Sequence, residues 1–211
     1  MKQDLQQIME KARDLSFTYG IRRMSLEEIR TELKISKPIF SKYIKSKSDF
    51  VSKLLEFERE RFKSIFDDYN FEDVNAIDIL LTVGKEVALR FKDVNPSLTY
   101  ELNKYYPALY QLHFETRQQF ISEKIKINLT KGIDQGVYRK DLSIELVTRL
   151  YISRLIDMHN PEFFPPEQFS YDTLFDFMFD YLIRGIANKK GLEHYENRIE
   201  KHKSQIQLTH Q

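Results

Sequence analysis

Between Ser25 and Lys47 the chain gathers side chains suited to phosphate oxygens and base edges: the hydroxyls of Ser25, Ser36 and Ser41, the phenol of Tyr43, and the cations of Lys37, Lys42, Lys45 and Lys47. Lysines beside a phosphate backbone supply affinity that ignores sequence, whereas residues leading a helix into a major groove meet base edges. Other chemistries lack their residues. There is no Gly-rich phosphate loop, no nucleophile elbow and no His pair with a nearby carboxylate. The five histidines (113, 159, 194, 202, 210) show no ligand spacing. With no cysteine, neither a disulfide framework nor a thiolate metal site can form. The expectation is a protein that is not an enzyme and takes no cofactor and no metal.

Charge points the same way. Residues 1–53 hold 12 Lys/Arg against 7 Asp/Glu, a net +5, so the remainder of this +1 chain is −4. A basic head on an acidic body suits a polyanion at the head alone. The alternative is a chance fluctuation of solvated surface charge.

Positioning these groups requires helices. Leu5, Ile8, Ala12, Leu15 and Tyr19 recur every three or four residues, and Gly20 follows where a left-handed cap is wanted. Ser25-Leu26-Glu27-Glu28 has the spacing of a capping box and opens a short second helix through Ile29 and Leu33. Lys34-Ile35-Ser36 leaves room only for a tight turn. Ser36 is then an N-cap, with Pro38 tolerated in the first turn. The third helix turns Phe40 and Ile44 inward and leaves Lys37, Ile39, Ser41, Lys42 and Tyr43 more exposed. Ser46-Lys47-Ser48-Asp49 opens a long fourth helix that ends near Tyr69. Three short helices with a three-residue joint between the second and third are the pattern of a helix-turn-helix. Lys42, Lys45 and Lys47 would flank a DNA backbone, or else decorate an ordinary solvated turn. Tyr43 would contact a sugar and phosphate, or else serve as a half-buried core aromatic.

Beyond residue 70 the pattern is further helices: 74–91, a short aromatic segment 97–106, a long helix restarted by Pro107, another from Leu142 to Met158, a loop at 161–166, and 171–188. The last is apolar around most of its circumference, with Asp172, Asp176, Asp180 and Arg184 as a narrow polar stripe. Such a helix needs neighbours on nearly every side. A second copy of the chain is the economical source; a central helix within one monomer is the alternative. From Leu192 the chain is polar and reads as a frayed tail. No stretch of about 18 apolar residues exists, so no membrane span is expected.

The residues Ile8, Ala12, Phe17 and Gly20, Met24 to Ile29, Leu33 to Lys37, Ile44 to Lys47, and Phe50 resemble the DNA-binding domain of the tetracycline-repressor (TetR) family, without insertion over about 45 residues. More loosely, Gly132 to Asp141 is similar to the segment before that family's dimerisation helices, and Arg184-Gly185-Ile186 to the end of the last helix. The resemblance implies an all-α protein: a helix-turn-helix head (1–50), a helical ligand-binding and dimerisation body (51–190), and a polar tail (191–211). It implies a cytoplasmic homodimer, probing a palindromic double-stranded DNA operator and released from it by a small-molecule effector. On that mapping Ser25, Lys42, Tyr43 and Lys47 contact phosphate, Lys37, Pro38 and Ile39 face bases, and Ser36 and Ser41 belong to the same surface. The interface falls on Val147, Leu150, Tyr151, Phe175, Phe179, Leu182, Ile183 and Ile186. The chain departs from the family at Ser41, where an aromatic is usual, at Pro38, where a small residue is usual, and at Ile44 in place of Phe.

The effector is not carried over by resemblance. Aromatic density at Phe91, Tyr100, Tyr105, Tyr106, Tyr110, His113, Phe114 and Tyr151 would suit a flat or lipophilic ligand, with plain packing as the alternative. The rival to a regulator is a helical protein-interaction or lipid-binding protein without specific DNA binding.

Overall fold

Helix starts follow the hydroxyl caps. In a computed structural model, which describes residues 3–91, 96–158, 160, 162–165 and 167–209, the order is α1 (Gln3–Tyr19), α2 (Leu26–Glu32), α3 (Lys37–Tyr43), α4 (Lys47–Asp67), α5 (Ala76–Phe91), α6 (Pro96–Tyr105), α7 (Pro107–Asp134), α8 (Ile144–Asp157), α9 (Tyr171–Ile186) and α10 (Lys189–Thr209). Ser25, Ser46, Ser143 and Ser170 each accept a hydrogen bond from the backbone N–H three residues on, satisfying an amide with no partner in its helix. No strand forms among the described residues; the extended pairing is limited to one bridge, Tyr138 with Ala187. Nor is any described helix long and apolar enough to cross a membrane.

Two compact units share the chain. One holds Met1–Asp68 and Arg90–Arg117, the other Tyr69–Leu89 and Gln118–Gln211. The core of the first unit joins Ile8, Met9 and Ala12 of α1, Ile29 and Leu33 around α2, Phe40 and Ile44 around α3, Phe50 and Leu54 of α4, and Leu98 and Leu102 of α6. Residues 1–50 therefore do not close a core alone. After α1 the chain turns at Gly20 (φ +80°). A Cβ there would lie 3.0 Å from both carboxylate oxygens of Glu101, which accepts from the N–H groups of Ile21 (2.8 Å) and Arg22 (3.0 Å). Arg22 also donates to the Tyr105 hydroxyl (2.8 Å).

The second unit is organised by a buried polar chain. Tyr138 is fully buried and donates its hydroxyl to Asn128 Oδ1 (3.0 Å), while Asn128 Nδ2 donates to the Ala76 carbonyl (2.8 Å). Burial pushes the Tyr138 phenol well above its ordinary pKa and keeps it a donor. Gly132 is what admits the ring: a Cβ there would sit 2.0 Å from Tyr138 Cδ2. Asn188, between α9 and α10, donates to the carbonyls of Gly136 (2.9 Å) and Tyr138 (3.2 Å).

The polar C-terminal stretch is not the frayed tail expected from its composition. It forms α10, held by three contacts that composition hides. Tyr195 is buried and donates to Asp180 (2.9 Å), and His194 and Arg198 both reach Asp78 (3.1 and 2.8 Å). Gly191 fits because its missing Cβ would fall 2.1 Å from the Val137 carbonyl oxygen.

Tyr138→Phe keeps the ring and strands a buried Asn128 oxygen. It should cost about 1–3 kcal/mol in urea unfolding; an unchanged midpoint would show that the network does not carry the unit.

Candidate nucleic-acid interface

The joint between α2 and α3 fixes how α3 is presented. Lys34 N–H donates to the Thr31 carbonyl (2.9 Å) and Ile35 N–H to the Arg30 carbonyl (3.2 Å), the paired bonds of a Schellman turn. Its left-handed position is taken by Lys34 (φ 56°), where glycine is usual. Arg30 braces the same turn, donating to the Ile35 carbonyl (2.8 Å) and pairing with Glu27 (2.6 Å). Nothing in the spacing of Arg30 announced this brace, because an exposed-looking arginine at the end of a helix reads as surface.

On that mount α3 buries Phe40 and Ile44 and leaves Lys37, Pro38, Ile39, Ser41 and Lys42 outside. Ile39 is 51% exposed, an apolar side chain held in water beside lysines. Ser36 caps α3 by position only, since its hydroxyl makes no cap bond and stays exposed. Tyr43 is half-buried against the core, and the Lys42 ammonium lies 5.4 Å from its ring centroid. The Ser25 hydroxyl accepts from Glu28 N–H (3.2 Å), and the Glu28 carboxylate accepts from Ser25 N–H (2.7 Å). The bond from Ser25 N–H, and after it the Ser25 side chain, hold the Glu28 carboxyl below its usual pKa.

Lys47 differs from expectation. It is half-buried, and its ammonium donates to the Met24 carbonyl rather than standing free. Desolvation lowers its pKa, opposed by the charges of Glu28 and Glu101. Lys47 thus ties α4 to the start of α2. Lys45 similarly turns its ammonium onto the Ser41 carbonyl (2.5 Å).

The expected pocket residues are only partly brought together. Tyr110 and Phe114 stack at 6.1 Å, and His113 lies between them in sequence with its Nδ1 3.5 Å from Arg59 Nη1. Burial, then the charges of Arg117 and Arg59, push His113 down to about 4. Tyr106 is half-buried, and the side chain of Phe91 lies outside the described residues. Tyr100 is 62% exposed and pairs with Lys104 (3.1 Å), which takes it off a pocket wall. Tyr151 belongs to the second unit and packs edge-on against Phe179 at 6.0 Å. Arg59 and Arg117 were not anticipated, because charges on amphipathic helices read as solvated faces.

The expected interface set also needs correction. Tyr151, Phe175, Phe179, Ile183 and Ile186 are buried within this one chain, and Val147 and Leu182 are half-buried. Leu150 alone of the set is exposed. The large apolar residues left outside on these two helices are Leu146, Leu150 and Ile156 on α8 and Phe177 (71% exposed) and Tyr181 (75% exposed) on α9. Periodicity cannot choose between faces on a helix that is apolar nearly all round. Among the described residues no group of three or more His, Cys, Asp or Glu is placed to hold a metal.

A short helix mounted by a tight turn on a three-helix head, followed by a helical body, defines a helix-turn-helix protein. Solved structures narrow that class. The chain is similar to a TetR transcription regulator from Haloarcula marismortui (TM-score 0.72, 18% identity, covering 89% of this chain and 100% of that one). It is also similar to a TetR-family regulator from Cytophaga hutchinsonii (0.65, 18%, 88% and 96%), and to a transcriptional regulator from Saccharomonospora viridis solved in complex with choline (0.64, 18%, 90% and 100%). No protein-family profile and no curated protein sequence matches the chain. The fold is that of the TetR-type transcriptional regulators.

Lys34→Gly removes a left-handed lysine from the joint. It should stabilise the protein by about 1 kcal/mol, read as a rise in melting temperature of roughly 2–4 °C. A fall would mean that the Lys34 side chain contributes more than its backbone costs.

Proposed function

We propose that the chain is a sequence-specific DNA-binding transcriptional regulator, a repressor released from its operator by a small lipophilic or aromatic ligand. The observation that carries the reading is α3. Phe40 and Ile44 anchor it in the core, while Lys37, Pro38, Ile39, Ser41 and Lys42 face outward. A helix fixed this way presents a basic, partly apolar surface of the width a major groove accepts. Lys37 and Lys42 lie at its margins for phosphates, and Ile39 supplies a methyl-bearing surface for base edges. The Saccharomonospora structure, solved with choline, supports a body that takes a small molecule. A regulator of this kind works in the cytoplasm, beside the DNA it reads.

The reading includes a homodimer whose contact is made by the outer faces of α8 and α9. Leu146, Leu150, Phe177 and Tyr181 are large, exposed and apolar, and Phe177 and Tyr181 stack on each other at 6.5 Å. A second copy of the same surface would cover them with two-fold symmetry.

Selection of bound fragments from random DNA is the deciding experiment. It should return a palindrome with half-sites about one helical turn apart. Recovery of no preferred sequence at moderate salt would leave a helical interaction protein and remove the regulator. Lys42→Ala should weaken binding to every sequence and lower the salt slope by about one unit, measured by fluorescence anisotropy between low and moderate salt; an unchanged slope would remove Lys42 from the backbone.

The double variant Phe177→Glu/Tyr181→Glu should remain helical by circular dichroism, because both side chains are exposed, yet scatter light as a monomer. Its affinity for the palindrome should drop about a hundredfold or more with the loss of two-headed binding. A dimer of wild-type mass would place the interface elsewhere.

A further inference from the structure

Within the first unit, α4 and the opening turns of α7 hold a group of side chains with a chemistry of its own. Arg59 Nη1 stands 3.5 Å from His113 Nδ1. Arg117, one turn further along α7, lays its guanidinium 4.9 Å from the Phe62 ring centroid. Tyr110 and Phe114 stack beside them. Phe62 is buried, and the other five are half-buried.

The protonation of the histidine follows from its neighbours. An arginine can only donate, so His113 Nδ1 presents its lone pair and the ring proton sits on Nε2. His113 is therefore neutral at physiological pH and adds no charge that would compete for an anion.

Four carboxylates of the same stretch are engaged elsewhere. Glu58 takes Arg13 (2.8 Å) and Arg61 (3.3 Å), Glu60 takes Lys63 (3.1 Å), and Asp68 takes Arg90 (2.7 Å). Glu115 accepts from Gln111 (2.6 Å). Among the described residues Arg59 has no carboxylate partner; its one hydrogen-bond contact is the His113 ring. A guanidinium half out of water, without an anion, beside a neutral ring and aromatic walls, is a site that lacks its counter-charge.

We propose that Arg59 and Arg117 form an anion subsite that binds the carboxylate of an amphipathic organic acid, with Phe62, Tyr110 and Phe114 covering its apolar body. A planar guanidinium matches a carboxylate with two parallel hydrogen bonds. The aromatic walls select against strongly hydrated anions such as free phosphate, whose dehydration they cannot offset. The assignment rests on the reading of the chain as a ligand-responsive regulator, and it names the chemical class of the effector.

The test uses the full chain and a series of acids from phenylacetate and 4-phenylbutyrate to decanoate and hexadecanoate, each beside its primary amide. Thermal unfolding and titration calorimetry report binding. At least one acid should raise the melting temperature, and its amide should not. Arg59→Gln and Arg117→Gln should each weaken that acid about tenfold or more, and Arg59→Lys should fall between, because it keeps the charge and loses the fork. Ligand-free affinity for DNA should not change in any of the three. Equal shifts from acids and amides would overturn the subsite, as would no shift from any acid in the series. The two readings fail separately. A selected operator that is bound tightly by a protein indifferent to all the acids would remove the subsite alone. Acid binding by a protein that selects no DNA would remove the regulator alone.

Discussion

A seven-residue helix does not hold its shape in water, because nucleation costs more than so few backbone bonds return. The helix α3, Lys37–Tyr43, exists through its neighbours. Phe40 and the adjoining Ile44 are buried in one cluster with side chains from α1, α4 and α6. Burying two such residues contributes roughly 1.5–3 kcal/mol each, enough to offset the ordering of one short helix. Everything assigned to its outward face, from Lys37 to Lys42, depends on that inward pair. The same constraint explains why the turn before it is so heavily braced. A Schellman turn, an Arg30 side chain on the Ile35 carbonyl and a lysine forced to positive φ all serve to aim one helix.

How much of this was legible in the sequence depends on how local the signal is. Ser25 with Glu28, Ser46, Gly20 and Pro107 act within a turn of themselves, and the helices begin and end where they indicate. Phe40 and Ile44 were readable as core because the spacing between them is helical. Other features have long-range causes. Lys34 stands where a glycine would have announced the left-handed turn. The ammonium of Lys47 is aimed at Met24, 23 residues away, and no spacing rule reaches that far. Polar residues from 192 onward form a helix because Tyr195 finds Asp180 and Arg198 finds Asp78.

The candidate ligand and dimer residues show the limit of periodicity most directly. It identified α9 as a helix needing cover on many sides, and it could not say which side this chain covers itself. Phe175, Phe179 and Ile183 went inside, and Phe177 and Tyr181 stayed out. In the aromatic cluster, spacing picked out Tyr110, His113 and Phe114 and passed over Arg59 and Arg117. Their meaning comes from what lies across from them: a neutral histidine, and carboxylates already engaged by other bases.

Glu101 on α6 closes the turn after α1 by accepting two backbone amides in the space that Gly20 leaves open. Leu98 and Leu102, one on each side of it, complete the core beneath α1 to α4. The smallest transplantable reading head is therefore discontinuous along the chain. A chimaera cut after residue 50 would leave behind both the plug for its own hydrophobic interior and the acceptor for its first turn. Swapping specificity between proteins of this architecture means exchanging α3 alone, or moving a segment of α6 together with the head.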